Sequence, residues 1–106
     1  MTNQWTDPVQ PVLPPLVAPT HIVSDRRLEF RRATLEQLEQ AVHAGADTVD
    51  IDLGGTVEMD ASGLGVLVLL QKRARERGLR TRLLHVRRPL METLRLTRLD
   101  AMFEMT

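Results

Sequence analysis

Thr48-Val-Asp-Ile-Asp-Leu53 alternates without a slip, placing Val49, Ile51 and Leu53 on one face of a strand and Asp50 and Asp52 on the other. A strand with carboxylates along one face is covered by helices on the opposite face only. Gly54-Gly55 interrupts it, Thr56-Val-Glu-Met continues extended, and a helical pattern then runs from about Gly63 to Arg77. Leu64, Leu67, Val68 and Leu70 are the packing residues of that helix; Lys72, Arg73, Arg75, Glu76 and Arg77 solvate its second half. Gly78 is placed as a left-handed cap, and the arginines before it suit the negative end of the helix dipole. Leu79 to Val86 reads as the next strand. Strand, helix and strand in such close succession call for a right-handed crossover between parallel strands, which makes the chain an alternating α/β domain.

The same layout extends on both sides. Arg87-Arg88 leads to Pro89, a favoured first helical residue, and Leu90 to Thr97 forms a third helix with Leu90 and Leu94 inward. Leu99, Met102 and Phe103 are expected to close over the core. Upstream, Thr34 followed by Gln37 matches a capping box for a first helix whose Leu35, Leu38 and Val42 recur at helical spacing and which Gly45 ends. His21-Ile-Val-Ser, Asp25-Arg-Arg and Leu28-Glu-Phe-Arg read as a short hairpin or a single strand. Five of the 6 prolines lie between Pro8 and Pro19, so residues 1–20 are expected as a Pro-rich extended tail, either a docking peptide or a loose leader or arm lying on its own domain or a neighbour's, ahead of a folded domain over 21–106.

A chain of 106 residues has no room for a second core. Aromatics are 3 % of the sequence, so aliphatic side chains must do the packing. Lys plus Arg (14) balance Asp plus Glu (14), and a chain of zero net charge has no overall field for nonspecific nucleic-acid binding. The absence of cysteine removes disulfides, thiolate metal sites and cysteine nucleophiles. Leu64 to Leu70, the longest apolar run, is far short of the ~20 residues that span a bilayer. Met1 to Gln10 has no positive start of the kind a secretion signal needs, and the expected location is the cytoplasm.

Little in the sequence supports catalysis. Asp60-Ala-Ser-Gly-Leu lacks the glycines that flank a hydrolase serine elbow, Gly63-Leu-Gly65 has two of the three glycines of a dinucleotide fingerprint, and no Walker lysine is present. His21, His43 and His85 are scattered without metal-ligand spacing, so no metal and no cofactor is expected. Asp60-Ala-Ser-Gly instead sits where a strand hands over to a helix. Either Asp60 or Ser62 could cap that helix, and its exposed amides could receive a phosphate on Ser62 without unfolding anything. Such a phosphate adds about −1.5 to −2 charges beside Asp60, enough to alter a protein contact by ~1–3 kcal/mol. The basic stretch Lys72 to Arg88, with eight Lys or Arg against one Glu, reads as a solvated helix end and strand edge, or else as a face for an acidic partner or anionic lipid headgroups.

On these residues the sequence resembles the STAS domain family, the anti-sigma factor antagonists and their relatives. The likeness runs from Val49-Asp-Ile-Asp-Leu through Val57-Glu-Met-Asp-Ala-Ser-Gly-Leu-Gly-Val-Leu, the Arg-rich helix and Gly78, to Leu94-Arg-Leu-Thr-Arg-Leu-Asp-Ala-Met-Phe, roughly residues 34–104. It implies a mixed, mostly parallel sheet of four or five strands with helices mainly on one face. It also implies a binding module and not an enzyme. The resemblance makes Ser62 the phosphorylation site and Asp60, Ala61, Ser62, Gly63, Leu64, Gly65 and Val66 the partner surface. The implied partner is an anti-sigma factor that is itself a serine kinase. The alternatives that the resemblance implies are the STAS subunit of a lipid-transporting ABC transporter, which binds the ATPase subunit and need not be phosphorylated, and a stress-sensing scaffold. Antagonists commonly carry a Gly-x-Leu-Asp turn before the first helix; here Asp25 or Glu29 would have to supply its acidic residue. Arg98 stands where a glycine often ends the third helix, a change costing ~1 kcal/mol if the residue is left-handed.

Overall fold

The computed structural model describes residues 13–106. Two short strands, β1 (Leu16–Val17) and β2 (His21–Ile22), precede α1 (Arg27–His43). β3 (Thr48–Asp52), β4 (Glu58–Met59), α2 (Ala61–Glu76), β5 (Arg80–Leu84), α3 (Arg88–Leu96) and β6 (Glu104–Met105) follow. β1, β3, β5 and β6 form one sheet in that spatial order, every pairing parallel, and β2 pairs with β4 in a separate parallel ribbon. The expected α/β architecture is present.

The alternation of β3 sorts its side chains as the sequence requires. Val49, Ile51 and Leu53 are fully buried in one core with Leu83 of β5 and Leu67 and Leu70 of α2. On the opposite face Asp50 lies directly across from Arg82 and accepts from its Nε at 3.2 Å and its Nη2 at 2.7 Å. This fork fixes the register of the central pair of strands and holds Arg82 more firmly protonated than usual, through the hydrogen bond first and the charge of Asp50 second. Part of the basic stretch Lys72 to Arg88 is neutralised in the same way. Arg77 pairs with Glu39 at 2.6 Å and Arg80 with Glu104 at 2.9 Å.

The first helix begins earlier than expected. Leu28 to Arg31 is no strand: a 3-10 turn at Ser24–Arg26 feeds α1 directly at Arg27. Phe30, Thr34, Gln37, Leu38 and Ala41 form its buried stripe, a helical period that continues upstream of the residue read as a cap. Thr34 is fully buried, and its hydroxyl bonds back to the Arg31 carbonyl at 2.9 Å, the mid-helix habit of threonine. Gln37, read as the other half of a capping box, donates from Nε2 to the Pro14 carbonyl at 2.8 Å and pins the preceding segment onto the helix.

Within the Pro-rich stretch, Leu16 to Ala18 are the residues between Pro15 and Pro19 that keep their amide protons. Leu16 and Val17 register with Ile51 and Asp52, and the Ala18 amide donates to the Asp52 carbonyl at 2.9 Å. Prolines are tolerated there because β1 is an edge strand. The part of the proposed tail before residue 13 lies outside the described residues. At the other end, Pro89 starts α3 as expected, Leu90 and Leu94 face inward, and Phe103 is buried. Gly78 is left-handed at φ +80 just after α2, and Arg98 takes the same conformation at φ +62 after α3.

Candidate functional site

The handover from β4 to α2 is built around Asp60. Its backbone is extended (φ −95, ψ −174) and its Oδ1 accepts from the Gly63 amide at 3.1 Å, satisfying one of the free donors of the helix start. Its Oδ2 accepts from the Ser24 amide at 3.0 Å, so one carboxylate both caps α2 and anchors the turn that leads into α1. The Asp60 amide in turn donates to the Ile22 carbonyl at 3.1 Å, beside the ribbon of β2 and β4. Asp60 therefore performs the capping, which leaves Ser62 unneeded for it.

Gly63 permits this closeness. A Cβ there would stand 2.6 Å from Met59 Cγ, 2.8 Å from Ile22 Cγ2 and 2.9 Å from the Ile22 carbonyl, so no side chain fits between α2 and the ribbon. Val66, one turn later, is buried against the core, and Leu64 is half-buried at its margin. Gly63 and Val66 support the surface, while Ala61 and Gly65 are exposed on it.

Ser62 is half-buried in the first turn of α2, and among the described residues its hydroxyl makes no side-chain hydrogen bond. It opens on a cleft of about 350 Å³ between α1 and α2. The wall from α2 is Ser62, Gly65, Val66 and Leu69, residues spaced so that they share one helical face. The wall from α1 is Arg27, Leu28 and Arg31, and Leu28 is 63 % exposed. Reading the sequence missed these α1 residues because it gave Leu28 to Arg31 to a strand. Extending the Phe30, Thr34, Leu38 period by one turn would have placed Arg27 and Arg31 together on a helix face.

The candidates for the missing acidic turn residue separate. Asp25 lies in the 3-10 turn that packs on α2 and that Asp60 ties down through Ser24. Glu29 turns to Arg26 at 3.4 Å. The histidines take separate local partners: His43 Nδ1 the Glu39 carbonyl at 3.0 Å, His21 Nε2 the Glu58 carboxylate at 3.9 Å, and His85 Nδ1 the Asp52 carboxylate at 3.2 Å. The Gly54 amide, 2.8 Å from Asp52 Oδ1, holds the Asp52 carboxyl below its ordinary range, with His85 adding to the effect and partial burial opposing it. Among the described residues no three potential metal ligands cluster, and no helix is long and apolar enough to cross a membrane.

Comparison with known proteins agrees with this fold. The family model described as "Mlab, STAS domain" matches residues 21–104. No curated protein matches the chain. Among solved structures, a Thermotoga maritima protein assigned as an anti-sigma factor antagonist superposes with a TM-score of 0.69 at 18 % identity, over 84 % of this chain and 75 % of that one. The anti-sigma factor antagonist SpoIIAA in its unphosphorylated form superposes with a TM-score of 0.56 at 15 % identity, over 87 % of this chain and 74 % of that one. At these identities the solved structures speak for the fold, and the family model speaks for the sequence. The family model covers most of the chain, and the chain belongs to the STAS domain family.

Proposed function

We propose that the protein is a cytoplasmic bacterial anti-sigma factor antagonist, a binding module and not an enzyme, that captures an anti-sigma factor kinase and is switched off by phosphorylation of Ser62. The observation that carries this reading is the division of labour at the start of α2. Asp60 supplies the cap, and the Ser62 hydroxyl, which has no hydrogen-bond partner among the described residues, lines a cleft. A phosphate there adds charge without removing any hydrogen bond that holds the fold. The fold that the chain shares with SpoIIAA and with the Thermotoga protein supports the same reading. The partner surface comprises Ala61, Ser62, Leu64 and Gly65, with Asp60, Gly63 and Val66 holding them in place.

The test is phosphotransfer. Incubation with the anti-sigma kinases encoded in the same genome and ATP should label the protein, with the label mapping to Ser62 and absent from Ser62→Ala. Unlabelled protein that still binds a kinase as Ser62→Asp contradicts the switch.

A second reading, the STAS subunit of a lipid-transporting ABC transporter, is favoured by the cleft wall. Arg27 and Arg31 line the cleft across from Ser62, a basic wall that the antagonist resemblance does not call for. It requires that affinity purification recover an ATP-binding cassette subunit.

A further inference from the structure

We propose that Arg27 and Arg31 form a receiving site for the phosphoryl group of phosphorylated Ser62, so that the modification is captured within the chain and does not simply project charge outward. The inference rests on the Ser62 reading above and deepens it. Arg27, Leu28 and Arg31 share one face of α1, and that face is the wall opposite Ser62 across the cleft. Among the described residues neither guanidinium has a carboxylate partner; the acidic residue nearest them in the helix, Glu29, is taken by Arg26. Basic residues in the first turns of a helix oppose its dipole, and α1 begins without a side-chain cap on its N-cap residue Arg26. The chain thus carries two positive charges, with Arg27 in the first turn where it opposes the dipole, at the place where the Ser62 hydroxyl opens. Local unfavourable choices of this kind concentrate where a protein binds something.

Phosphotransfer forms a bond from Ser62 Oγ to the γ-phosphorus of ATP as the bond from that phosphorus to the ADP oxygen breaks, and the hydroxyl proton leaves with the kinase's base. The product carries about −1.5 to −2 charges at neutral pH against the two guanidinium charges, which match it in magnitude and offer forked donors suited to phosphate oxygens. Other charges face the group from the surrounding elements. Asp60, at the N-cap, opposes it, but both carboxylate oxygens are already engaged by the Gly63 and Ser24 amides. Asp25 lies in the turn packed on α2. Capture empties the cleft of positive charge, so a partner that uses an acidic side chain there loses its attachment point as it meets the phosphate.

The experiment needs no partner and no kinase. The full chain is made with phosphoserine encoded at position 62, and its 31P resonance is followed from about pH 4 to 8. An isolated phosphoserine has its second pKa near ~6, and nearby cations favour the dianion. The midpoint should lie about one pH unit lower in the otherwise unchanged protein, a tenfold change in proton affinity, and should return toward that of a short peptide in the R27Q/R31Q double variant. Both side chains are exposed, so the variant should fold, as circular dichroism will verify. R27K/R31K should retain part of the depression. Coincident midpoints in the unchanged and R27Q/R31Q proteins would overturn the proposal. A depressed midpoint in a protein that no anti-sigma kinase modifies would leave the capture standing and remove the switch; kinase labelling with an undisplaced midpoint would do the reverse.

Discussion

Asp60 and Ser24, separated by 36 positions, are joined by a 3.0 Å hydrogen bond from the Ser24 amide to the carboxylate that also caps α2. The entry to α1 and the start of α2, the two walls of the Ser62 cleft, are thereby set by one side chain. Replacing Asp60 with alanine removes the cap and leaves the Ser24 donor without its partner, a loss of about 1–3 kcal/mol. For a domain of this size that is roughly 5–15 °C in Tm. Asp60→Asn keeps one acceptor for Gly63 but turns an amide donor toward Ser24 and should fall between. Calorimetric melting of the three proteins checks the order.

Gly63 and Gly65 lie two residues apart in the same helix and should respond oppositely to alanine. At Gly63 the new methyl meets the backbone oxygen of Ile22, which cannot swing aside, as well as Met59 and Ile22 side chains, so a loss of about 2–3 kcal/mol is expected. At Gly65 a Cβ meets nothing within 4 Å, and removing a helix-interior glycine should raise stability by up to about 1 kcal/mol. Urea unfolding of both variants distinguishes them. A stabilised Gly65→Ala that binds its partner less well would show that this glycine keeps the cleft open and does not serve the fold.

Arg98 is the reverse case, a side chain held at φ +62 where glycine is the relaxed choice. Arg98→Gly should increase stability by up to about 1 kcal/mol, the relief of backbone strain outweighing the greater freedom of the unfolded chain. A destabilised variant would mean that the arginine side chain contributes more than its backbone costs.

The Asp52 carboxyl, held low chiefly by the Gly54 amide, makes a pH-dependent contribution of known sign. Its folded pKa lies below the unfolded value of about 3.8, so the stabilisation is fully present above that value and is lost as pH falls through the folded pKa. Because the group is partly exposed, the contribution should stay below about 1 kcal/mol. Asp52→Asn should be less stable than the parent at pH 6, and the difference should shrink as the pH falls below about 3.8. A difference that persists unchanged into acid would assign the effect to lost hydrogen-bond geometry instead of charge.

The elements that read correctly from sequence are those whose periodicity is local. Val49, Ile51 and Leu53 declare one buried face, Gly78 and Pro89 mark their helix boundaries, and Leu90 and Leu94 face inward. What sequence hid depends on partners far along the chain. Thr34 and Gln37 imitate a capping box, yet the first is satisfied within its own helix and the second by Pro14. The two-residue strands His21–Ile22 and Glu58–Met59 have no pattern of their own and exist through their pairing with each other. At the site, Asp60 and Ser62 were legible as a helix start, but which of them caps was decided by the position of Ser24. Arg27 and Arg31 were invisible as cleft residues while their segment was taken for a strand.

The central claim is that Ser62 is displayed as a contact whose charge can be changed. The most direct measurement is the dissociation constant of the proposed partner, an anti-sigma kinase from the same genome, for this protein with serine and with encoded phosphoserine at position 62, by titration calorimetry in the same buffer. Phosphoserine should weaken binding at least tenfold, about 1.4 kcal/mol or more. Equal affinities for the two forms would contradict the claim.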